Sequence, residues 1–143
     1  LLSNTHRLRG FGWRAVLIEG DEKNFAELEK QKSHTTFCVH EKIGRESLDR
    51  ILKECGAPVD LDFGSIDIDG QDYWAWKGLE EYRPRLMLVE FDYASEAGPV
   101  VIPGEGKIGQ ASYAAILELG KEKGYIALAK TNCNILFCQS ELV

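Results

Sequence analysis

At 143 residues the chain fits one domain, large enough to bury a hydrophobic core without disulfides or structural metal. Its 44% apolar and 28% charged content is that of a soluble globular protein, and no run approaches the ~18 apolar residues of a membrane span, so no membrane partner is expected. Seventeen Lys and Arg against 23 Asp and Glu give a net charge of -6 and a pI near 5.1, which argues against a sequence-independent grip on phosphate backbones and against nucleic acid as a partner.

The elements follow in chain order. Ser3-Asn4-Thr5 offers an N-cap for a short helix over 6–9 that ends at Gly10 or Gly12. Residues 14–18 are an apolar strand stopped by Gly20 and Asp21, and Asp21 can cap a helix with Phe25, Ala26 and Leu28 on one face. A second strand over 35–39 precedes a helix that Ser47 opens, that carries Leu48, Ile51 and Leu52, and that closes at Gly56. The third strand spans 61–68 and ends in Asp67-Ile68-Asp69-Gly70; an aromatic-rich helix over 73–79 follows, before Pro84. The fourth strand is 85–91, and 92–109 is a long loop of the kind that often serves function. A helix over 110–123, with Tyr113, Ile116, Leu117 and Leu119 inward, stops at Gly124. Strands 125–129 and 135–138 then pair through Asn132-Cys133-Asn134.

Strands that alternate with helices and carry continuous apolar runs imply a doubly wound α/β sheet, mostly parallel, with an antiparallel hairpin at the end. The four cysteines form no CxxC pair, and three lie in apolar segments, which points to free thiols in a reducing cytoplasm. No charged-then-apolar leader opens the chain. Its start at Leu1-Leu2-Ser3 rather than Met leads us to expect a processed, truncated or partial product of something longer.

In open parallel sheets ligands bind at the carboxyl ends of strands, where loops are free of ladder bonds and helix N-termini present amides. Three polar clusters fall there. In Glu19-Gly20-Asp21 a carboxylate can accept the hydroxyls of a ribose; alternatively Asp21 caps its helix and Glu19 is solvated. In the second, Ser65, Asp67 and Asp69 share one face of the strand while Ile66 and Ile68 bury the other way, and two carboxylates that close repel unless a cation or donors sit between them. They can hold a divalent ion such as Mg²⁺, act as a general base or bond a cofactor's amine, with Asp72 and Tyr73 beside them as substrate contacts. The bland alternative is that Asp69 caps the next helix and Asp67 pairs with a cation. The third is Glu90, costly inside an apolar strand without a partner and convergent with the second cluster, which makes it a further substrate-binding candidate. The three histidines lack metal-ligand spacing, and Trp74 and Trp76 are most simply core.

The run 12–21 (GWRAVLIEGD), the run 65–76 (SIDIDGQDYWAW), Arg83-Pro84-Arg85 leading to Val89-Glu90-Phe91, and the final run 132–137 (NCNILF) together resemble the FkbM-related methyltransferases in order and spacing, over nearly the whole chain. The resemblance implies a Rossmann-like class I methyltransferase fold, S-adenosylmethionine as cofactor and methyl transfer to a hydroxyl of a small-molecule acceptor, a sugar or metabolite. It further implies that Glu19, with Gly20 and Asp21 at the same strand end, holds the ribose hydroxyls. Asp67 stands at the cofactor's methionine side and the acceptor, and Asp69 is its neighbour. The chain departs from the family in lacking the first strand and its acidic glycine-rich loop, which leaves the strands beginning near Arg14 and Leu61 without their shared neighbour. Such a chain must re-pair those strands, borrow one from another chain in a homo-oligomer, or belong to a longer protein. The rival readings are a catalytically inactive remnant acting as an interaction or oligomer-forming module, and a DxD glycosyltransferase or hydrolase with Mg²⁺ or Mn²⁺ on Asp67 and Asp69.

Overall fold

The computed structural model describes residues 4–95 and 98–143. Two compact units can be distinguished, Leu1–Ile43 with Arg50–Ala57, and Gly44–Asp49 with Pro58–Val143. It is an α/β chain with two sheets, one parallel and one mixed. Among the described residues no helix is long and apolar enough to cross a membrane.

In the first unit, β1 (Ala15–Glu19) pairs in parallel with β2 (Thr36–His40), from Ala15 opposite Thr36 to Glu19 opposite His40. Of the expected start, Ser3 lies outside the described residues, and Thr5 takes the N-cap position of α1 (His6–Gly10). Asp21 caps α2 (Glu22–Glu29). Leu28 of that helix is buried and Phe25 stacks on His40 at 4.7 Å, whereas Ala26, expected beside them, is exposed: the apolar stripe is narrower than its spacing suggests. In α3 (Leu48–Glu54) Ile51 is buried, and the helix stops before Gly56, whose φ of 64° is one that glycine adopts without strain.

The second unit carries a sheet in the order β3 (Phe63–Ile66), β4 (Leu86–Glu90), β6 (Asn134–Gln139), β5 (Tyr125–Lys130). β3 and β4 are parallel, and β6 runs antiparallel to both β4 and β5. Period-two alternation puts Met87, Val89, Ile135 and Phe137 on one face, each at most 1% exposed. Trp76 of α4 (Asp72–Gly78) packs there, its ring 4.8 Å from that of Phe137. α5 (Tyr113–Glu122) comes so close that a Cβ on Gly120 would stand 2.4 Å from the Phe137 ring. A glycine in mid-helix costs about 1 kcal/mol, less than the ~1.5–3 kcal/mol gained by burying each large side chain that this approach encloses. α5 begins at Tyr113 rather than Gln110 because Ser112 is its cap, accepting from Ala115 N at 3.3 Å.

Among the described residues β1 pairs only with β2 and β3 only with β4, so the strands expected to lack a shared neighbour each have one unpaired edge.

Candidate functional site

The third strand is shorter than expected. Alternation would keep Asp67 and Asp69 on one face, but the ladder ends at Ile66, and Asp69 turns into left-handed backbone at φ 53°, followed by Gly70 at φ 126°. The cause is Asp72. Its carboxylate reaches back from the first residue of α4 to accept from Ile68 N and Gly70 N, both at 3.0 Å, and so draws the chain into a tight loop. Asp69 therefore does not cap α4; Gln71 holds that position. Burial pushes the Asp72 carboxyl above its ordinary range, opposed by the two amides and assisted by Asp67.

Asp72 and Tyr73, expected against a substrate, are 3% and 6% exposed. Asp72 gives both oxygens to the loop, and Tyr73 packs edge-on to Trp74 at 5.2 Å, with the Lys77 ammonium 3.3 Å from its hydroxyl. Trp76 is core, as expected. Trp74 is half-buried and holds a loop: its indole N–H donates to Pro103 O at 2.8 Å.

The long loop expected over 92–109 is described except for residues 96 and 97, and it is anchored to the Asp67–Asp72 turn. Gln71 donates to Lys107 O and accepts from Gly106 N, each at 2.8 Å. Any Cβ on Gly70 would stand 2.9 Å from Gly109 O, so the residue must be glycine for the approach as well as for its φ.

Register brings the second and third clusters together. Ile66 lies opposite Val89, which sets Asp67 beside Glu90 at the carboxyl ends of parallel strands. Glu90 accepts from Gln110 Nε2 at 2.9 Å, so the partner that a Glu in an apolar strand requires is a neutral amide. Its carboxyl is pushed up to about 7 by burial first, then by Asp67, Asp72 and Asp69, against the Gln110 bond. Asp67 and Asp69 are exposed. On the other side, Asn134 of β6 lies opposite Glu90. Two exposed carboxylates beside a third that exchanges its proton near neutrality can attract a cation and move a proton. Among the described residues no group of three or more His, Cys, Asp and Glu is placed to hold a metal ion. Gln71, Gln110 and Asn134 are the residues that sequence reasoning missed.

At the end of β1, within the first unit, Glu19 Oε1 accepts from Asp21 N and Asp21 Oδ1 from Asn24 N, both at 2.8 Å. Asp21 is a helix cap. A Cβ on Gly20 would stand 3.0 Å from Lys42 Cα, so a larger residue there would have to push that backbone aside by a few tenths of an ångström. Compared with protein-family models, with curated proteins and with solved structures, the chain matches none.

Proposed function

We propose that this chain is part of an S-adenosylmethionine-dependent O-methyltransferase of Rossmann-like architecture, acting on a hydroxyl of a sugar or small metabolite. The observation that carries the reading is the convergence of Asp67, Asp69 and Glu90 at the carboxyl ends of β3 and β4. The cofactor, when bound, supplies an electrophilic methyl on a positively charged sulfonium, and a wall of carboxylates suits that charge. Asp67 takes the proton of the attacking hydroxyl onto a carboxylate oxygen, a contribution of roughly 10²–10⁴ to rate. Glu90, exchanging its proton near pH 7, tunes the field that Asp67 feels. Asp72 does not touch substrate; it fixes the turn that presents Asp67. Gln71 and Trp74 hold the 98–110 segment near that turn.

The test is thermal unfolding with S-adenosylhomocysteine in large excess. A ligand at 100 times its Kd stabilises by about 2.7 kcal/mol, and a folded sample that shows no rise overturns the reading for this chain. In an active form Asp67→Asn should cut methyl transfer by roughly 10²–10⁴ while its Tm stays within a few degrees of wild type.

A second reading, an inactive remnant that works as an interaction module, is favoured by the unpaired edges of β1 and β3 among the described residues. Concentration-dependent mass in sedimentation, with no response to S-adenosylhomocysteine, supports it.

A further inference from the structure

We propose that Asn134 accepts, through its side-chain Oδ1, a hydrogen bond from the protonated carboxyl of Glu90, which makes Asn134 the positioning residue for the proton-holding group of the site. Its role in a reaction rests on the methyltransferase reading above; the bond itself does not.

Glu90 and Asn134 are register partners across the antiparallel β4–β6 pair, and directly opposed residues put their side chains on the same face, with Cβ atoms about 5 Å apart. Asn134 is 8% exposed, and its Oδ1 is buried with no hydrogen-bond partner among the described residues. An orphaned carbonyl in the interior is rare enough to call for a donor. The other end of the amide is engaged. Its Nδ2 donates to Cys133 Sγ at 3.3 Å, and the turn beneath it is fixed by Thr131, whose Oγ1 accepts from Asn134 N at 3.1 Å and whose own N donates to Asn134 O at 2.8 Å.

The titratable group directly opposite is Glu90, whose Oε2 accepts from Gln110. A carboxyl that has lost its proton would set two acceptors face to face; one that keeps it closes the bond. The charges acting on Glu90 come from Asp67 beyond β3, Asp69 in the turn and Asp72 at the start of α4. All are negative and favour the protonated form, and the neighbouring Gln110 and Cys133 are an amide and a thiol. Burial acts in the same direction. A protonated Glu90 supplies the donor that the buried Oδ1 of Asn134 lacks.

The test is a carboxyl ¹³C titration of the full chain, wild type and Asn134→Ala. Losing an acceptor that only the protonated form uses should lower the Glu90 midpoint by about one unit, a tenfold loss of proton affinity. A merely structural asparagine lowers Tm and leaves the midpoint in place, and that result overturns the proposal. A second readout needs no variant: in wild type the Asn134 side-chain ¹³Cγ and ¹⁵N resonances should titrate with the Glu90 midpoint, and resonances that stay flat overturn the bond. Neither readout involves S-adenosylhomocysteine, so a coupled titration in a chain that ignores that ligand keeps the bond and removes the methyl-transfer reading.

Discussion

Two strand ends in this molecule use the same residue types, and their carboxylates have different fates. At the end of β1, Glu19-Gly20-Asp21 passes into α2 in the shortest way, with Asp21 capping from outside the helix, in water. At the end of β3 the passage takes five residues, and the aspartate that organises it, Asp72, is already inside α4 and buried. An exposed carboxylate can only cap; a buried one can impose a left-handed turn on the chain before it. That turn holds up Asp67 beside Glu90. The difference lies in what covers each helix start, and at α4 Gly70 meets the backbone of Gly109 from nearly 40 residues on.

The largest test of this contrast is Asp72→Ala. It strips the partners from two amides, one buried and one part-buried, each worth about 1–3 kcal/mol when orphaned, so denaturant unfolding should show a loss of about 3 kcal/mol. Amide exchange at Gly106, which bonds Gln71, should accelerate as the turn relaxes. Asp72→Asn keeps one acceptor oxygen and should recover part of the loss. A cost below about 1 kcal/mol for the alanine variant would mean that the two strand ends are built alike.

The asymmetry between these ends also marks how far the residues could be read in order. Asp21 as a cap, the stop before Gly56, the stop at Gly124 and the β5–β6 hairpin rest on interactions within a few positions, and local patterns disclose those. The end of β3 does not, because alternation through Ser65-Ile66-Asp67-Ile68-Asp69 favours a strand until Asp72 and Gly109 act on it from beyond. Glu90 was legible as a residue in need of a partner, but Gln110 and Asn134 were not. A neutral amide carries no signal until the sheet brings positions 90, 110 and 134 to one place. The long 92–109 loop was visible by composition, whereas its anchors, Gln71 and Trp74, look like ordinary helix-start residues.

An intermediate effect is expected at Glu90, where covering a strand-end carboxylate becomes a dependence on pH. Its carboxyl is held at about 7 in the folded chain against an ordinary 4.5, so the folded state binds this proton more tightly. The resulting stability is fully present below about pH 4.5 and is lost as pH rises through 7. Partial exposure reduces the full linkage value, leaving a loss of roughly 1–2 kcal/mol between pH 5 and 8.5. Urea unfolding of wild type and Glu90→Gln at both values isolates it: the glutamine variant should lack that part of the slope and be the more stable of the two at pH 8.5. Parallel pH profiles would remove Glu90 as the proton-holding group.

The smallest effect belongs to the first strand end. Asp21→Ala removes one exposed cap bond to Asn24 N, and water can take the freed amide, so the loss should be about 1 kcal/mol. Because the amide of Asp21 remains and still donates to Glu19, the entry into α2 should keep its path, and hydrogen exchange should quicken only in the first turn of that helix. The contrast with Asp72 is then one of reach. A cap in water releases one turn of its own helix, whereas the buried aspartate releases a turn, a loop and the carboxylate that they present.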